Sequence, residues 1–175
     1  MSQSLFVRKL LAVWERGVEA YKSGERNPEL MFEARDKDIL ASIGQTTQEF
    51  FDYAEDYVKY DGDPDFPDVL AVAHIRKEYF VNVQSEMRSS HTLDPDTLPA
   101  KTDSVRGIEW LPRIFEKAKA KIRGELHPDI MYGCGGDRRF LKEYHLTPAE
   151  FLTATLTYWD EPEKLYDWVE TRSKR

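Results

Sequence analysis

Apolar residues recur with helical spacing in two separate stretches of the chain. The clearer stretch contains Trp110, Leu111, Ile114, Phe115, Ala118 and Ile122. The other runs from about Ser4 to Lys22, where Leu5, Leu11 and Val18 form the stripe with Trp14 beside it. Spacings of three and four residues place side chains on one face of a helix. Both stretches are therefore predicted to be amphipathic helices that pack against a core.

Capping and turn residues predict several further short helices. Thr46 is followed by Glu49, and Thr147 by Glu150, at the spacing of a capping box. Helices are predicted over about 4–22, 36–43, 67–82, 107–123, 137–144 and 161–174, and one more begins after each capping box. The expected caps of the first helix are Ser4 at its start and Gly24 at its end, while Gly44 closes the second. No useful strand alternation is present, so the predicted fold class is all-α.

The two halves of the chain match each other in order. In one register, Gly24, Pro28 and Met31 match Gly124, Pro128 and Met131. In a register shifted by one residue, the matches are Glu15 with Glu116, Asp36 with Asp137, Leu40 with Leu141, Thr46 with Thr147, Glu49 with Glu150, Phe50 with Phe151 and Tyr57 with Tyr158. Collinear matches at the same turns and caps predict a duplication. We therefore expect a compact domain of two pseudo-repeated helical units: a diverged repeat over 1–83, a surface linker over 84–104, and a second repeat over 105–175.

The composition and charge argue against nucleic-acid-binding, secreted and membrane-spanning proteins. The chain has 175 residues, 41% of them hydrophobic, which suffices for a core, and a net charge of −7. A nonspecific nucleic-acid binder is usually basic, so the charge argues against that partner. The apolar run at the N-terminus is too short for a signal peptide, and no run approaches the roughly 20 apolar residues of a membrane span. A cytoplasmic protein is expected.

Metal and cofactor sites are not expected. The acidic turn 61–65 fails as an EF-hand, because Phe66 and Val72 stand where a glycine and a bidentate glutamate are needed. The single cysteine excludes an intrachain disulfide and argues against a zinc finger. His74, His127 and His145 have no short ligand spacing with one another or with Cys134.

The strongest candidate for chemistry is the loop 132–139, with the sequence YGCGGDRR. Glycines around the only cysteine allow successive backbone N–H groups to face one point beside a helix N-terminus, which favours an anion. The same field, with Arg138 and Arg139, would favour the reactive thiolate of Cys134. The plainer alternative makes Asp137 an N-cap, the glycines a turn and Cys134 a small buried residue.

A basic stripe on the preceding helix is a weaker candidate. Arg113, Lys117 and Lys121, with Lys119 and Arg123 beside them, are predicted to lie opposite Ile114 and Ile122. A solvated charged face is the ordinary outcome for such a stripe, and a phosphate- or nucleic-acid-contacting face is the alternative.

Several short motifs in the second half occur in the order of a known family. They are Leu111-Pro112-Arg113, Glu116-Lys117-Ala118-Lys119-Ala120, Gly124-Glu125-Leu126 and Cys134-x-x-Asp137-x-x-Phe140. Residues 105–175 thus resemble an uncharacterised bacterial family, the domain of unknown function five-zero-six-nine. The resemblance implies a small helical domain without a known activity. It singles out Arg113, Lys117, Cys134, Asp137 and Phe140 as pattern positions.

The chain departs from that family pattern around the cysteine. Gly135-Gly136 replaces an expected Pro-Leu pair, and in the first copy Glu33 stands at the position of Cys134 while Asp36 is kept. If the cysteine is functional, only the second copy carries the function.

Together these observations favour a binding or interaction module. The expected partner is a protein or a small anionic ligand at the Cys134 loop. The expected ligand-binding residues are Gly133, Cys134, Gly135, Gly136, Asp137, Arg138, Arg113 and Lys117. The alternative is a thiol-dependent enzyme or redox sensor in which Cys134 is the catalytic group. The sequence leaves the oligomeric state open.

Overall fold

The chain folds into two compact units, Met1–Arg88 and Ser89–Arg175. A computed structural model describes residues 3–173, and the predicted helix end at Lys174 lies outside them. The boundary between the units falls inside the stretch 84–104 that the sequence marks as a linker. Apart from one short hairpin and a 3-10 turn, the regular structure of the described residues is helical, which confirms the all-α fold class.

The first unit consists of five helices around an apolar core. They are α1 (Gln3–Lys22), α2 (Pro28–Met31), α3 (Ala34–Ala41), α4 (Thr47–Lys59) and α5 (Phe66–Asn82). Helix α1 packs against α4 and also contacts α2, α3 and α5. The core includes Leu10, Val13, Phe50, Ala54 and Ala73, all buried. Helical periodicity on α1 and α4 therefore builds this core.

Three predicted details of the first unit are wrong. Ser4 lies inside α1 and does not cap it, and Leu5 is 39% exposed because the buried stripe runs through Phe6 and Leu10. Helix α3 begins at Ala34 rather than Asp36, since Glu33 and Asp36 form a capping box of their own.

Gly44 closes the turn after α3, as predicted, and the structure shows why glycine is needed there. Its φ is +70°, and a Cβ atom would lie 2.7 Å from both Arg76 Nη2 and Phe80 Cγ. Positive φ and close packing thus both exclude a side chain.

The second unit combines a hairpin with four helices. Its elements are β1 (Ser104–Val105), β2 (Ile108–Glu109), α6 (Leu111–Arg123), α7 (Gly135–Glu143), α8 (Pro148–Thr157) and α9 (Pro162–Ser173). The strands are antiparallel, with Ser104 opposite Glu109 and Val105 opposite Ile108. Helix α8 packs against α6 and α7. The stretch before the hairpin is ordered against this unit: Leu98 is buried, and the Leu93 N–H donates to the Glu125 carbonyl at 2.7 Å.

The start of α6 differs from the prediction. The sequence places the helix over 107–123, but it begins at Leu111, because residues before it have positive φ: 54° at Arg106, 76° at Gly107 and 70° at Trp110. Three left-handed residues cannot belong to a right-handed helix. Pro112 lies in the first turn, as expected.

The order of elements is similar in the two units. Each has a long first helix, a turn, a short helix, a helix opened by a Thr–Glu capping box, and a final helix. Both capping boxes form as predicted. These correspondences support the internal repeat, which stays a prediction.

Candidate functional site

The centre of the candidate site is the buried carboxylate of Asp137, in the first turn of α7. Its Oδ1 accepts a hydrogen bond from Trp110 Nε1 at 2.9 Å, and its Oδ2 accepts from the Gly133 N–H at 2.9 Å. Oδ2 also forms an ion pair with Lys117 Nζ of α6. A buried charge needs such partners, because an unpaired one is costly. Asp137 thereby fixes an ammonium and an indole from two other parts of the unit.

This arrangement corrects two predictions about Asp137 and the loop. The N-cap of α7 is Cys134, so Asp137 lies at the third helical position and is not a cap. Lys117 and the Gly133 N–H, both expected to receive an external anion, are bound to the Asp137 carboxylate instead. The anion position suggested by the glycine loop is therefore filled from within the chain.

Cys134 is half-buried at the start of α7. Its side chain makes no capping hydrogen bond, and its Sγ lies 3.5 Å from Lys117 Nζ. Arg138 is buried and donates from Nη1 to the Gly133 carbonyl at 2.6 Å, whereas Arg139 is exposed. The plainer expectation of a buried core cysteine is thus not met, because Cys134 is only half-buried and its sulfur lies beside an ammonium.

The predicted basic stripe on α6 is wrong. Lys117 and Lys121 are 3% and 0% exposed, and Arg113 is half-buried and donates to the Pro99 carbonyl at 2.7 Å. Residues three, four and seven positions apart share a helix face, so both lysines lie on the same side as Ile114 rather than opposite it. Lys117 and Lys121 therefore do not form the solvated face that the sequence predicts.

Trp110 is the residue that sequence reasoning missed. The apolar spacing places it in the core stripe of α6, but it precedes the helix with φ +70° and ψ −26°, an outlier for so bulky a residue. Its ring packs on Gly136, where a Cβ atom would lie 2.7 Å from Trp110 Cζ2. A glycine in the first turn of a helix was the one available signal of such a close approach. Strained residues of this kind often occur at functional sites.

A cavity of about 240 Å³ opens against the indole of Trp110. It is lined by Lys101, Glu109, Trp110, Gly136, Arg139, Phe140 and Glu143. Four of these residues belong to α7 and share one face of it at helical spacing. Lys101 Nζ lies 5.9 Å from the centroid of the indole.

The four charged residues around this cavity have no charged partners in the part of the chain that the structure describes. Lys101, Glu109, Arg139 and Glu143 are all exposed. Within residues 3–173 their side chains form neither an ion pair nor a hydrogen bond. The rim thus offers two cations and two anions that are free to contact a ligand.

The first unit has a related ion pair but not the cavity wall. Arg16 Nε donates to Asp36 Oδ2 at 2.8 Å, in the positions that match Lys117 and Asp137 in the shifted register. At the positions that match Cys134, Trp110 and Gly136, this unit has Glu33, Lys9 and Arg35. Because an ion pair is present in both units, we infer that it has a structural role. A function specific to the second unit would depend on the positions at which the two units differ.

The histidines do not join the candidate site. His74 and His145 are exposed, and His127 lies in a turn where its Nδ1 accepts from the Asp129 N–H at 3.2 Å. Across the described range, no group of three or more His, Cys, Asp or Glu side chains is placed to hold a metal ion.

The described helices include none whose length and apolar character would let it cross a bilayer. The cytoplasmic location and the absence of a nucleic-acid partner stay predictions.

Comparison with protein-family models, with curated proteins and with solved structures finds no match to the chain. The resemblance of residues 105–175 to the domain-of-unknown-function family therefore stays a prediction. What bears on function is the geometry around Trp110, Asp137 and Cys134.

Proposed function

We propose that this protein is a binding module that takes up a small ligand in the cavity beside Trp110. The observation that carries the proposal is a rim of four charged side chains, around an aromatic wall, that form no ion pair or hydrogen bond within residues 3–173. Ligand sites typically combine an apolar wall with a few converging polar groups. At about 240 Å³ the cavity lies just below the range of about 300–1,000 Å³ that is usual for drug-sized ligands, so it would enclose a small molecule or one side chain of a larger one.

The wall of the cavity is held in place before any ligand arrives. Asp137 accepts from the indole N–H of Trp110, Lys117 pairs with Asp137, and Gly136 leaves room for the ring to approach the backbone closely. Side chains whose positions are fixed by a supporting layer lose little freedom on binding. Asp137 and Lys117 therefore position the Trp110 wall of the cavity and do not contact the ligand themselves.

The proposed ligand site is not at the place that the sequence suggests. Of the ligand-binding residues expected from the loop, only Gly136 lines the cavity. Asp137 fills the anion position, so the proposal moves the ligand from the cysteine side of the loop to the face of α7 that carries Arg139 and Glu143.

Native mass spectrometry with charge-reversal variants tests this proposal. The protein is mixed with a pool of amino acids, short peptides, organic acids and nucleosides. At least one compound should add its mass to the wild type, and Arg139→Glu or Glu143→Lys should abolish that adduct. Arg35→Glu, an exposed change on α3, is the matched control and should leave it intact. Adducts that survive both rim changes, or no adduct with any compound, would contradict the proposal.

A second candidate function is a reactive thiol at Cys134, used by a redox sensor or a thiol-dependent enzyme. The specific observation is the 3.5 Å contact between Cys134 Sγ and Lys117 Nζ at the start of α7. A cysteine beside an ammonium and a helix N-terminus is an arrangement that recurs among reactive cysteines. Because Cys134 is only half-buried, we expect a small oxidant or electrophile to reach it.

The rate of alkylation by iodoacetamide tests the thiol function without any substitution. At neutral pH the folded protein should react faster than the same protein in urea, because unfolding removes Lys117 and the helix from the sulfur. A folded protein that reacts more slowly than the unfolded chain would exclude this second function.

A further inference from the structure

We infer that the cavity beside Trp110 takes a short zwitterionic peptide with an apolar or aromatic side chain. This inference rests on the proposed binding function and names its ligand class. The net charge of the four rim side chains is zero, with Lys101 and Arg139 against Glu109 and Glu143. A net-neutral ligand with separated charges complements such a rim, whereas the purely anionic ligand expected from the loop would leave both glutamates opposed to it.

Two of the rim charges, Arg139 and Glu143, lie on α7, and the other two, Lys101 and Glu109, precede α6. The N-terminal end of α7, at Gly136, carries the positive end of the helix dipole and lies under the indole that Lys101 approaches to 5.9 Å. Its last residue, Glu143, is an acidic side chain at the negative end of the dipole. A carboxylate is therefore favoured at the Lys101 end and an ammonium at the Glu143 end.

The distance between these ends fits a peptide of about three residues. From Gly136 to Glu143 the helix rises about 10 Å, at about 1.5 Å per residue. An extended chain spans about 3.3–3.6 Å per residue, so three residues place their termini at the two ends. Between the ends, Trp110 and Phe140 line the cavity and provide apolar contact for a central side chain.

Isothermal titration with three forms of one tripeptide tests the inference. The probes are Ala-Phe-Ala with free termini, its N-acetylated form without the ammonium, and its C-terminal amide without the carboxylate. The free peptide should bind, and each blocked form should bind about three- to tenfold more weakly, which is the range for partly screened to charge-assisted contacts.

Two variants of rim residues test which residue contacts the ammonium of the peptide and which contacts its carboxylate. Glu143→Gln should remove the preference for the free ammonium and keep the preference for the carboxylate, while Lys101→Gln should do the reverse. Both residues are exposed, so neither change threatens the fold, and Arg35→Gln is the control. If the free peptide binds no better than the blocked forms, the zwitterion inference is overturned while the binding function stands. If no form binds although another compound does, the peptide class is overturned. If no compound binds at all, both proposals fail.

Discussion

Removing the Asp137 carboxylate should destabilise the second unit far more than the equivalent change destabilises the first. Asp137→Ala leaves the Lys117 ammonium without its partner, and the Lys117 side chain is only 4% exposed. Breaking a buried ion pair by deleting one partner costs about 3–5 kcal/mol. The indole N–H of Trp110 and the Gly133 N–H also lose their acceptor, at about 1–3 kcal/mol for each buried group. Because these losses overlap, we expect a total of at least about 3 kcal/mol.

Asp36→Ala in the first unit is the matched control. Asp36 is as deeply buried as Asp137, but the Arg16 side chain that pairs with it is 43% exposed. Water can therefore solvate the guanidinium when the carboxylate is gone, and the expected loss is about 1–2 kcal/mol, of the size of a lost hydrogen bond and capping contact.

Urea unfolding at neutral pH, followed by circular dichroism and tryptophan fluorescence, measures both losses. A double variant, Lys117→Met with Asp137→Leu, distinguishes the cost of an unpaired buried charge from the cost of lost contacts. Replacing both charges by apolar groups should recover much of the loss of Asp137→Ala, because no buried charge is left unpaired. Equal losses for Asp137→Ala and Asp36→Ala, or no recovery in the double variant, would refute the role assigned to the buried pair.

Three further predictions concern single positions. Gly136→Ala should push the indole of Trp110 away, since the added Cβ lies 2.7 Å from the ring, and should cost about 1–3 kcal/mol and weaken ligand binding in a titration. Gly44→Ala should lower the urea midpoint by a similar free energy, because the turn needs φ +70° and has no room beside Arg76. Burial raises the pKa of Asp52 to about 7 from its ordinary 3.8, so the folded state retains a proton that the unfolded state releases, and stability falls as pH rises from about 4 to 7. Asp52→Asn should therefore stabilise the protein at pH 8, by about 2 kcal/mol after allowance for residual solvent contact, and not at pH 4. Asp38→Asn, at an exposed position, should show no such difference.

Local sequence signals predicted the elements that depend only on neighbouring residues. The two capping boxes formed at Thr46 and Thr147, and Pro112 lies in the first turn of α6. These features depend only on residues within about four positions of one another, so a local sequence pattern is enough to predict them. The all-α class follows from the same short-range periodicity.

The candidate site depended on contacts that the sequence does not encode locally. That Asp137 would accept from Trp110 and Lys117 follows from how α6 packs in the unit, and no spacing between these residues reveals it. The left-handed backbone of Trp110 likewise results from the hairpin that precedes α6, whose strands of two residues are too short to give a pattern. The burial of Lys117 could be predicted from the sequence, because its spacing of three residues from Ile114 places both on one helix face.

Fluorine NMR of the protein labelled with 5-fluorotryptophan tests the central claim most directly. The chain contains four tryptophans, and substituting each in turn by phenylalanine assigns the four signals. Titration with Ala-Phe-Ala, or with any compound that binds in the mass-spectrometric screen, should shift the signal of Trp110 and leave those of Trp14, Trp159 and Trp168 in place. A bound ligand that shifts another tryptophan and leaves Trp110 unchanged would contradict a site in the cavity beside Trp110.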